Sequence, residues 1–319
     1  MLGGRSADAV SRLASNLELA MRTFDLTDPE RVAEGLEGVK VLLNCAGPFS
    51  RTAKPLVEAC LRQRVHYLDI TGELAVLESL AAHDAEARAR GITILPGAGF
   101  DVVPSDCLAA EIKYRLPAAT HLALAFQSSG GLSRGTATTM LESTRSGGFV
   151  REGGALVSVP SGQRTRRIDF GDGPRTAISI PWGDLATAYR TTGIPNIEVF
   201  VALPRLARIG VRLLRFVGPA ISTAPVQRVL LGRVKAGPPG PSVEARARGE
   251  TRLWAQGRDA LGNVVEARLR APDGYELSSW TAVELAHRAL EGKLPPGFQT
   301  PALACGREFI LEFPGVTRI

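Results

Sequence analysis

A chain of 319 residues with 45% hydrophobic content has enough apolar material for one large or two ordinary globular domains. Its net charge of +6 comes almost wholly from arginine, since only five of the 38 basic residues are lysine; without a basic motif carrying interleaved aromatics this argues against a nucleic-acid partner and suits anionic ligands such as phosphorylated cofactors. No apolar run approaches the roughly 20 uncharged residues of a spanning helix, and Cys45, Cys60, Cys107 and Cys305 show no metal-ligand spacing, so a reduced cytoplasmic setting is expected.

In chain order, Leu2-Gly3-Gly4-Arg5-Ser6 reads as the end of a strand and a turn, followed by helical spacing over 7–17 through Val10, Leu13, Ala14 and Leu17. The chain therefore opens in mid-motif. A short strand over 18–24 and Asp25 come next, then a helix started by Thr27 or Asp28 with Pro29 in its first turn. Three apolar segments follow, over 41–49, 66–73 and 92–101, each ending in a loop with glycine and a polar or acidic group. Between them lie amphipathic helices expected at 51–63 and 74–90, the second closed by Gly91. Successive βα units of this kind form a parallel sheet whose loops leave the same carboxyl edge, the edge at which open α/β sheets bind ligands. A further helix runs to about residue 115, with Ser105 or Asp106 expected to cap it.

The pattern then changes. Strand alternation over 121–126, a Gly/Ser loop over 128–135, a helix over 136–144 and a hairpin-rich stretch over 149–180 describe a second unit of α+β type. Residues 203–217 combine Leu206, Ile209, Leu213, Leu214 and Phe216 with Arg205, Arg208, Arg212 and Arg215. At helical spacing this is a basic amphipathic helix, read either as packed on its own domain or as a peripheral contact with an anionic membrane. A loop over 237–241, an antiparallel pair over 242–253 and 260–270, a helix over 281–291 and a last strand over 309–313 complete the expectations. The fold class expected is α/β: an incomplete Rossmann-type parallel sheet over 1–117, a second α+β domain with a mixed or antiparallel sheet over 118–275, and a C-terminal helix and tail over 276–319 returning to the first domain.

Several positions are candidates for chemistry. Arg5 follows the second strand of a nucleotide-binding half, where an arginine suits a 2'-phosphate and hence NADP over NAD; taken alone it reads more readily as a plain surface arginine. Asn44, Ala46, Gly47 and Pro48 form a turn that either lets a ligand approach the backbone or simply ends a strand. Gly97-Ala98-Gly99 is a Gly-x-Gly that follows a later strand, and a tight turn explains it as well as ligand contact does. Asp69, Thr71 and Glu73 are acidic or polar groups at a sheet edge, costly to bury without partners. The four cysteines and His83, His121 and His287 are read as structural.

Taken together, Leu43-Asn44-Cys45-Ala46-Gly47-Pro48-Phe49, Tyr67-Leu68-Asp69-Ile70-Thr71-Gly72-Glu73 and Gly97-Ala98-Gly99-Phe100-Asp101-Val102-Val103-Pro104-Ser105-Asp106 resemble the saccharopine dehydrogenase-like oxidoreductases. The resemblance is to the branch that includes trans-acting enoyl reductases, and Arg167-Ile168-Asp169-Phe170-Gly171, Pro181-Trp182-Gly183-Asp184, Thr192-Gly193-Ile194-Pro195-Asn196-Ile197 and Gly297-Phe298-Gln299-Thr300-Pro301 fit it too. It implies an N-terminal Rossmann domain binding NADP, a second domain with a mixed sheet, and hydride transfer in the cleft between them. By position it implies Arg5 and Ser6 at the 2'-phosphate turn with Asp25 nearby, Asn44, Ala46, Gly47 and Pro48 beside the cofactor, and Gly97, Gly99 and Asp101 on the nicotinamide side. The departure is at the front, where the family has a strand, a Gly-x-x-Gly-x-x-Gly turn and a helix. Because that strand is central in a 3-2-1-4-5-6 sheet, its neighbours are expected to stay unpaired or to close the gap, and Met1 is expected to be an internal start or fragment boundary.

The expected activity is NADP-dependent hydride transfer to a C=C or C=N bond of a lipid-like or metabolic small molecule, in a homo-oligomer, with Glu73, Asp101, Tyr67 and Tyr189 as proton donors or orienters. The alternative is a non-catalytic, membrane-peripheral or lipid-associated protein, or a fragment, that binds no nucleotide.

Overall fold

The structure is a computed structural model and describes residues 1–128, 147–160, 162–204, 208, 209, 226, 229, 232, 233, 240 and 242–319. Two parallel sheets come from the first part of the chain. Strand β1 (Leu2–Gly4) pairs with β2 (Met21–Thr23). Strands β3 (Val41–Asn44), β4 (His66–Asp69) and β5 (Thr93–Leu95) pair in sequence, and β14 (Gly297–Phe298) adds to the free side of β5. All these pairs are parallel. Asn44 lies opposite Asp69 and Leu68 opposite Leu95, so the three strands end together and their turns leave one edge. Among the described residues β1 does not pair with β3, so the strand order expected for one sheet is divided between two.

Local chemistry accounts for the helices between these strands. Helix α1 (Ala7–Asn16) starts at Ser6, whose hydroxyl accepts the Ala9 amide, and α2 (Pro29–Gly35) starts at Asp28, whose carboxylate accepts from Glu30 and Arg31. Helix α3 (Phe49–Gln63) lies where amphipathicity places it. The single helix expected over 74–90 is instead two, α4 (Leu74–Ala81) and α5 (Asp84–Arg90), the latter closed by left-handed Gly91. Ala82 and His83 donate to Ser79 and Leu80, tightening the last turn of α4 and ending it. The break frees Asp84 to accept the Phe298 amide at 2.7 Å, which holds β14 on the sheet.

Helix α6 (Val103–Arg115) begins without a side-chain cap. Neither Ser105 nor Asp106 takes that role, because both are buried and bonded elsewhere: Ser105 to Val102 and Asp184, Asp106 to Thr191 and the Ala302 amide.

A mixed sheet of nine strands among the described residues forms the second half. Its order is β15 (Thr317–Arg318), β13 (Val264–Pro272), β12 (Glu250–Asp259), β6 (Ala119–Ser128), β11 (Asn196–Ala202), β10 (Pro174–Ser179) and β9 (Thr165–Asp169). Strand β7 (Gly148–Glu152) pairs with β11 and with β8 (Ala155–Val159). Helices α7 (Asp184–Thr192) and α9 (Gly274–Leu290) lie between the mixed sheet and the larger parallel sheet, α7 against α4, α6 and β11 and α9 against β3, β4 and β13, with α9 starting earlier than expected at an Asp273 cap. The strand expected from 242 starts only at Glu250, because Ser242 caps a short helix, α8 (Val243–Ala247). The strand expected over 309–313 is a 3-10 turn over Phe309–Glu312 that buries Phe309 and Ile310; the edge strand is β15. Helix α10 (Pro301–Cys305) precedes it. The loop expected over 128–135, the helices over 136–144 and 203–217 and the loop over 237–241 lie outside the described residues, apart from isolated positions.

Strand alternation gives the parallel sheet two apolar faces. Tyr67 and Ile94 pack with Leu56, Val57, Cys60 and Leu80 from the flanking helices, while Leu68 and Leu95 join Leu108, Ile112, Leu253 and Leu277 in the larger core shared with the mixed sheet. Among the described residues no helix is long and apolar enough to cross a membrane.

Candidate active site

The three turns at the carboxyl edge of β3, β4 and β5 are tied together by one hydrogen-bond network. Asn44, buried at the end of β3, accepts the Ala46 amide at 3.0 Å and donates from Nδ2 to Thr52 Oγ1 and Tyr67 Oη, both at 3.2 Å. The Tyr67 phenol donates to Asp69 Oδ2 at 2.7 Å. Asp69 Oδ1 accepts the amides of Thr71 and Gly97, each at 3.0 Å, linking the second turn to the third. Glu73 closes the loop back to the first turn, its two oxygens accepting the Phe49 and Ser50 amides at 2.9 Å. Backbone amides that would otherwise be orphaned at strand ends are thus satisfied by side chains chosen from neighbouring strands.

Burial dominates the electrostatics. Asp69 is fully buried, and removal from water pushes its carboxyl up to about 6 against the lowering effect of its amide and phenol donors. The same burial and the neighbouring Asp69 charge hold the Tyr67 phenol well above its ordinary value. Asp101, at the end of the third turn, is likewise raised to about 6 by desolvation. Its carboxylate has no hydrogen-bond partner among the described residues and is packed against Gly72, where a Cβ would stand 2.9 Å from Oδ2. An acid in that range exchanges its proton near neutral pH, the property a general acid needs.

The structure distributes the expected site residues unevenly. Asn44, Tyr67 and Glu73 meet in the network, with Asp69 at its centre, and Asp101 lies beside it. Tyr67 has no exposed surface, so it can orient Asp69 but not touch a substrate. Ala46 and Gly47 are exposed, and a Cβ at Gly47 would meet only the Phe49 ring, at 3.8 Å, leaving the turn open to a ligand, with Pro48 next to it half-buried. Gly97 and Gly99 are instead buried; Gly97 has φ +71 and its Cβ would fall 2.6 Å from Val102, so their smallness serves packing of the turn. Tyr189 is in a different environment: its ring lies 4.4 Å beneath the guanidinium of Arg151, which pairs with Glu78, and its hydroxyl abuts Gly154. Arg5, Ser6 and Asp25 form a separate exposed group at the ends of β1 and β2. There Ser6 caps α1, and hydrogen bonds from Thr27 hold the Asp25 carboxyl low, with help from the Arg5 charge.

Three contributors have no mark in the sequence. Trp182 donates from Nε1 to the Asp101 carbonyl at 3.0 Å, Ser278 accepts the Phe100 amide at 2.8 Å, and Thr281 donates to the Ala98 carbonyl at 2.7 Å. Phe100, Phe126 and Trp182 make a row of rings beside them, with centroids 6.4 and 5.2 Å apart. Pro181-Trp182-Gly183-Asp184 supported the resemblance, but nothing in its composition tells which backbone group Trp182 would reach.

Comparison with known proteins bears on the cofactor and the fold. Residues 1–95 match the family model of the saccharopine dehydrogenase NADP binding domain, in line with the NADP expected from Arg5. A trans-acting enoyl reductase of Mycobacterium ulcerans is 31% identical over 189 residues, covering 56% of this chain and 45% of that protein. A saccharopine dehydrogenase-like oxidoreductase of Mus musculus is 30% identical over 103 residues, 32% of this chain and 24% of that protein. The chain therefore spans less than half the length of these relatives. Apo saccharopine dehydrogenase (L-Glu forming) of Saccharomyces cerevisiae superposes with a TM-score of 0.64 at 10% identity, over 99% of this chain and 93% of that one. That likeness shows the fold: a Rossmann-type parallel sheet with a mixed sheet, as the sequence led one to expect.

Proposed function

With residues 1–95 matching a saccharopine dehydrogenase-type NADP-binding domain, we propose that the protein is an NADP-dependent oxidoreductase that reduces a C=C or C=N bond of a lipid-like or metabolic small molecule. The observation that carries this reading is the common edge: three turns from consecutive parallel strands, locked to one another through Asn44, Tyr67, Asp69 and Glu73, beside a carboxyl raised to about 6.

The residues present fit parts of the cofactor. Arg5 is exposed next to the N-terminus of α1, a combination of cation and oriented amides suited to a 2'-phosphate. The open backbone at Ala46 and Gly47 suits close approach of the nucleotide, and Asn44 keeps that turn in shape. NADPH, when bound, supplies the hydride. Asp101 supplies the proton that completes the reduction, leaving a carboxylate that is reprotonated from solvent. The buried Tyr67 and Asp69 hold the turns and take no part in the transfer. The four free thiols agree with a cytoplasmic setting, and a homo-oligomer belongs to the same reading.

Calorimetric titration with NADPH and NADH tests the proposal. Saturable NADPH binding is expected, with Arg5→Gln weakening NADPH by roughly tenfold or more, as for loss of a charged hydrogen bond worth about 1.5–3 kcal/mol, and leaving NADH unchanged. Failure of either nucleotide to bind, with liposome association retained, would favour the non-catalytic alternative.

A further inference from the structure

We propose that Trp182 and Ser278 are positioning residues that set the direction in which the Asp101 side chain leaves its turn, so that two elements remote in sequence control the acid at the carboxyl edge of the parallel sheet. The proposal rests on the reading of Asp101 as proton donor and adds the residues that aim it.

The Gly97 amide donates to Asp69 Oδ1 and the Ala98 amide to the Asp69 carbonyl, which fixes the start of the third turn to β4. Val102 and Val103 donate to the Gly99 carbonyl, which fixes its end to α6. Asp101 lies between these anchors. The Phe100 amide on one side of it is held by Ser278 Oγ, and its own carbonyl on the other side is held by Trp182 Nε1. The backbone torsions that set the direction of the Asp101 Cα–Cβ bond are thereby held from both sides. Ser278 and Trp182 come from α9 and from the segment leading into α7, both remote in sequence, so neither bond forms until those elements have packed against the parallel sheet.

Packing reinforces the bonds. A Cβ at Gly99 would stand 3.1 Å from Ser278 Oγ and 3.3 Å from Ile70, so helix and turn are already in close contact. The Trp182 ring leans on Phe126, which meets Phe100 edge-on, and this row of rings displaces water from one side of the turn. Thr281 adds a third tie at the Ala98 carbonyl. Small displacements of an acid that must meet a reacting atom lower turnover steeply, on the order of a hundredfold for about 1 Å, so bonds that fix Asp101 have a functional consequence distinct from their contribution to folding.

The test is the titration of Asp101, read from the carboxyl carbon by NMR in aspartate-labelled protein and assigned with Asp101→Asn. In the unsubstituted protein the midpoint is expected at about 6. Trp182→Phe keeps a ring but removes the donor, and Ser278→Ala removes the acceptor; each is expected to lower the midpoint by about one unit toward the ordinary 3.9 as the turn loosens and water enters. Ser278→Thr keeps the hydroxyl and is expected to restore the midpoint, including in a background where Ser278→Ala lowers the melting temperature. A merely structural role would lower melting temperature in all variants without moving the titration, and an unmoved midpoint in both Trp182→Phe and Ser278→Ala overturns the proposal. Calorimetry with NADPH on the same samples separates the two ideas: loss of binding by the unsubstituted protein sinks the oxidoreductase reading, whereas unaltered binding with an unmoved midpoint sinks the positioning role alone.

Discussion

Glu73 Oε1 accepts the amide hydrogen of Phe49 at 2.9 Å, placing a carboxylate from the turn after β4 on the first residue of the helix that follows β3. Its other oxygen takes the Ser50 amide. A helix start has amides with no partner in the helix and a partial positive charge, and this anionic side chain answers both. The position that resembles a catalytic acid in sequence is engaged in holding two turns together.

Glu73→Gln keeps the length of the side chain but removes its charge and one acceptor. A loss of about 1–2 kcal/mol is expected in denaturant unfolding, and Glu73→Ala should cost more because both amides lose their partner. Equal stability of all three proteins would show that water replaces the carboxylate without loss.

Tyr67→Phe leaves Asp69 Oδ2 and Asn44 Nδ2 each short of a partner in a buried place, at an expected cost of about 1–3 kcal/mol. Asp69 also predicts a pH dependence. Its carboxyl is raised from 3.8 to about 6, so the folded state holds the proton more tightly than the unfolded chain. Its stabilising contribution is therefore full below about 3.8 and lost as pH rises through about 6. Asp101 is raised to about 6 by the same cause and acts in the same direction over the same window. Asp69→Asn should flatten part of the fall in stability over that interval, and a slope identical to that of the unsubstituted protein would contradict the assignment.

Ser105 and Asp184 pose a question of proton count. Ser105 Oγ lies 3.0 Å from the Val102 carbonyl, which can only accept, and 2.5 Å from Asp184 Oδ1. The single hydroxyl proton goes to Asp184 Oδ1, the nearer acceptor, while the Val102 carbonyl keeps the Asp106 amide as its partner; burial, with the nearby Asp106 and Asp101 charges, raises the Asp184 carboxyl well above the ordinary value against the lowering effect of the Ser105 bond. Asp184→Asn, which keeps shape, neutrality and a donor, should cost less than about 1 kcal/mol, whereas Asp184→Ala should cost about 1–3 kcal/mol by stranding Ser105 and opening space. An infrared carboxylic-acid band at neutral pH that disappears in Asp184→Asn would identify the group directly. A cost for the asparagine variant matching that for alanine would refute a neutral Asp184.

Much of the site was legible where the governing interactions are local. Asp28 followed by Pro29 starts a helix, Gly91 in the left-handed region ends one, and the three apolar segments that stop at glycine and polar residues become parallel strands ending level with one another. Asp69 and Glu73 stood out because acids at a sheet edge need partners. The errors arose where a distant element claimed a residue. The helix over 74–90 breaks and leaves Asp84 bonded to Phe298, and Phe309 turns inward beneath the Arg288 guanidinium instead of extending a strand.

From the order of amino acids alone came the βα rhythm and the common rim of the three turns, since periodicity, capping and turn chemistry operate over a few neighbouring residues. Only the folded chain decided that Glu73 serves a helix, that Tyr67 is sealed from solvent, and that Trp182 and Ser278 grip the turn bearing Asp101. Those outcomes depend on hydrogen bonds between groups far apart along the backbone, and such bonds exist only after the apolar faces on both sides of the parallel sheet have been buried.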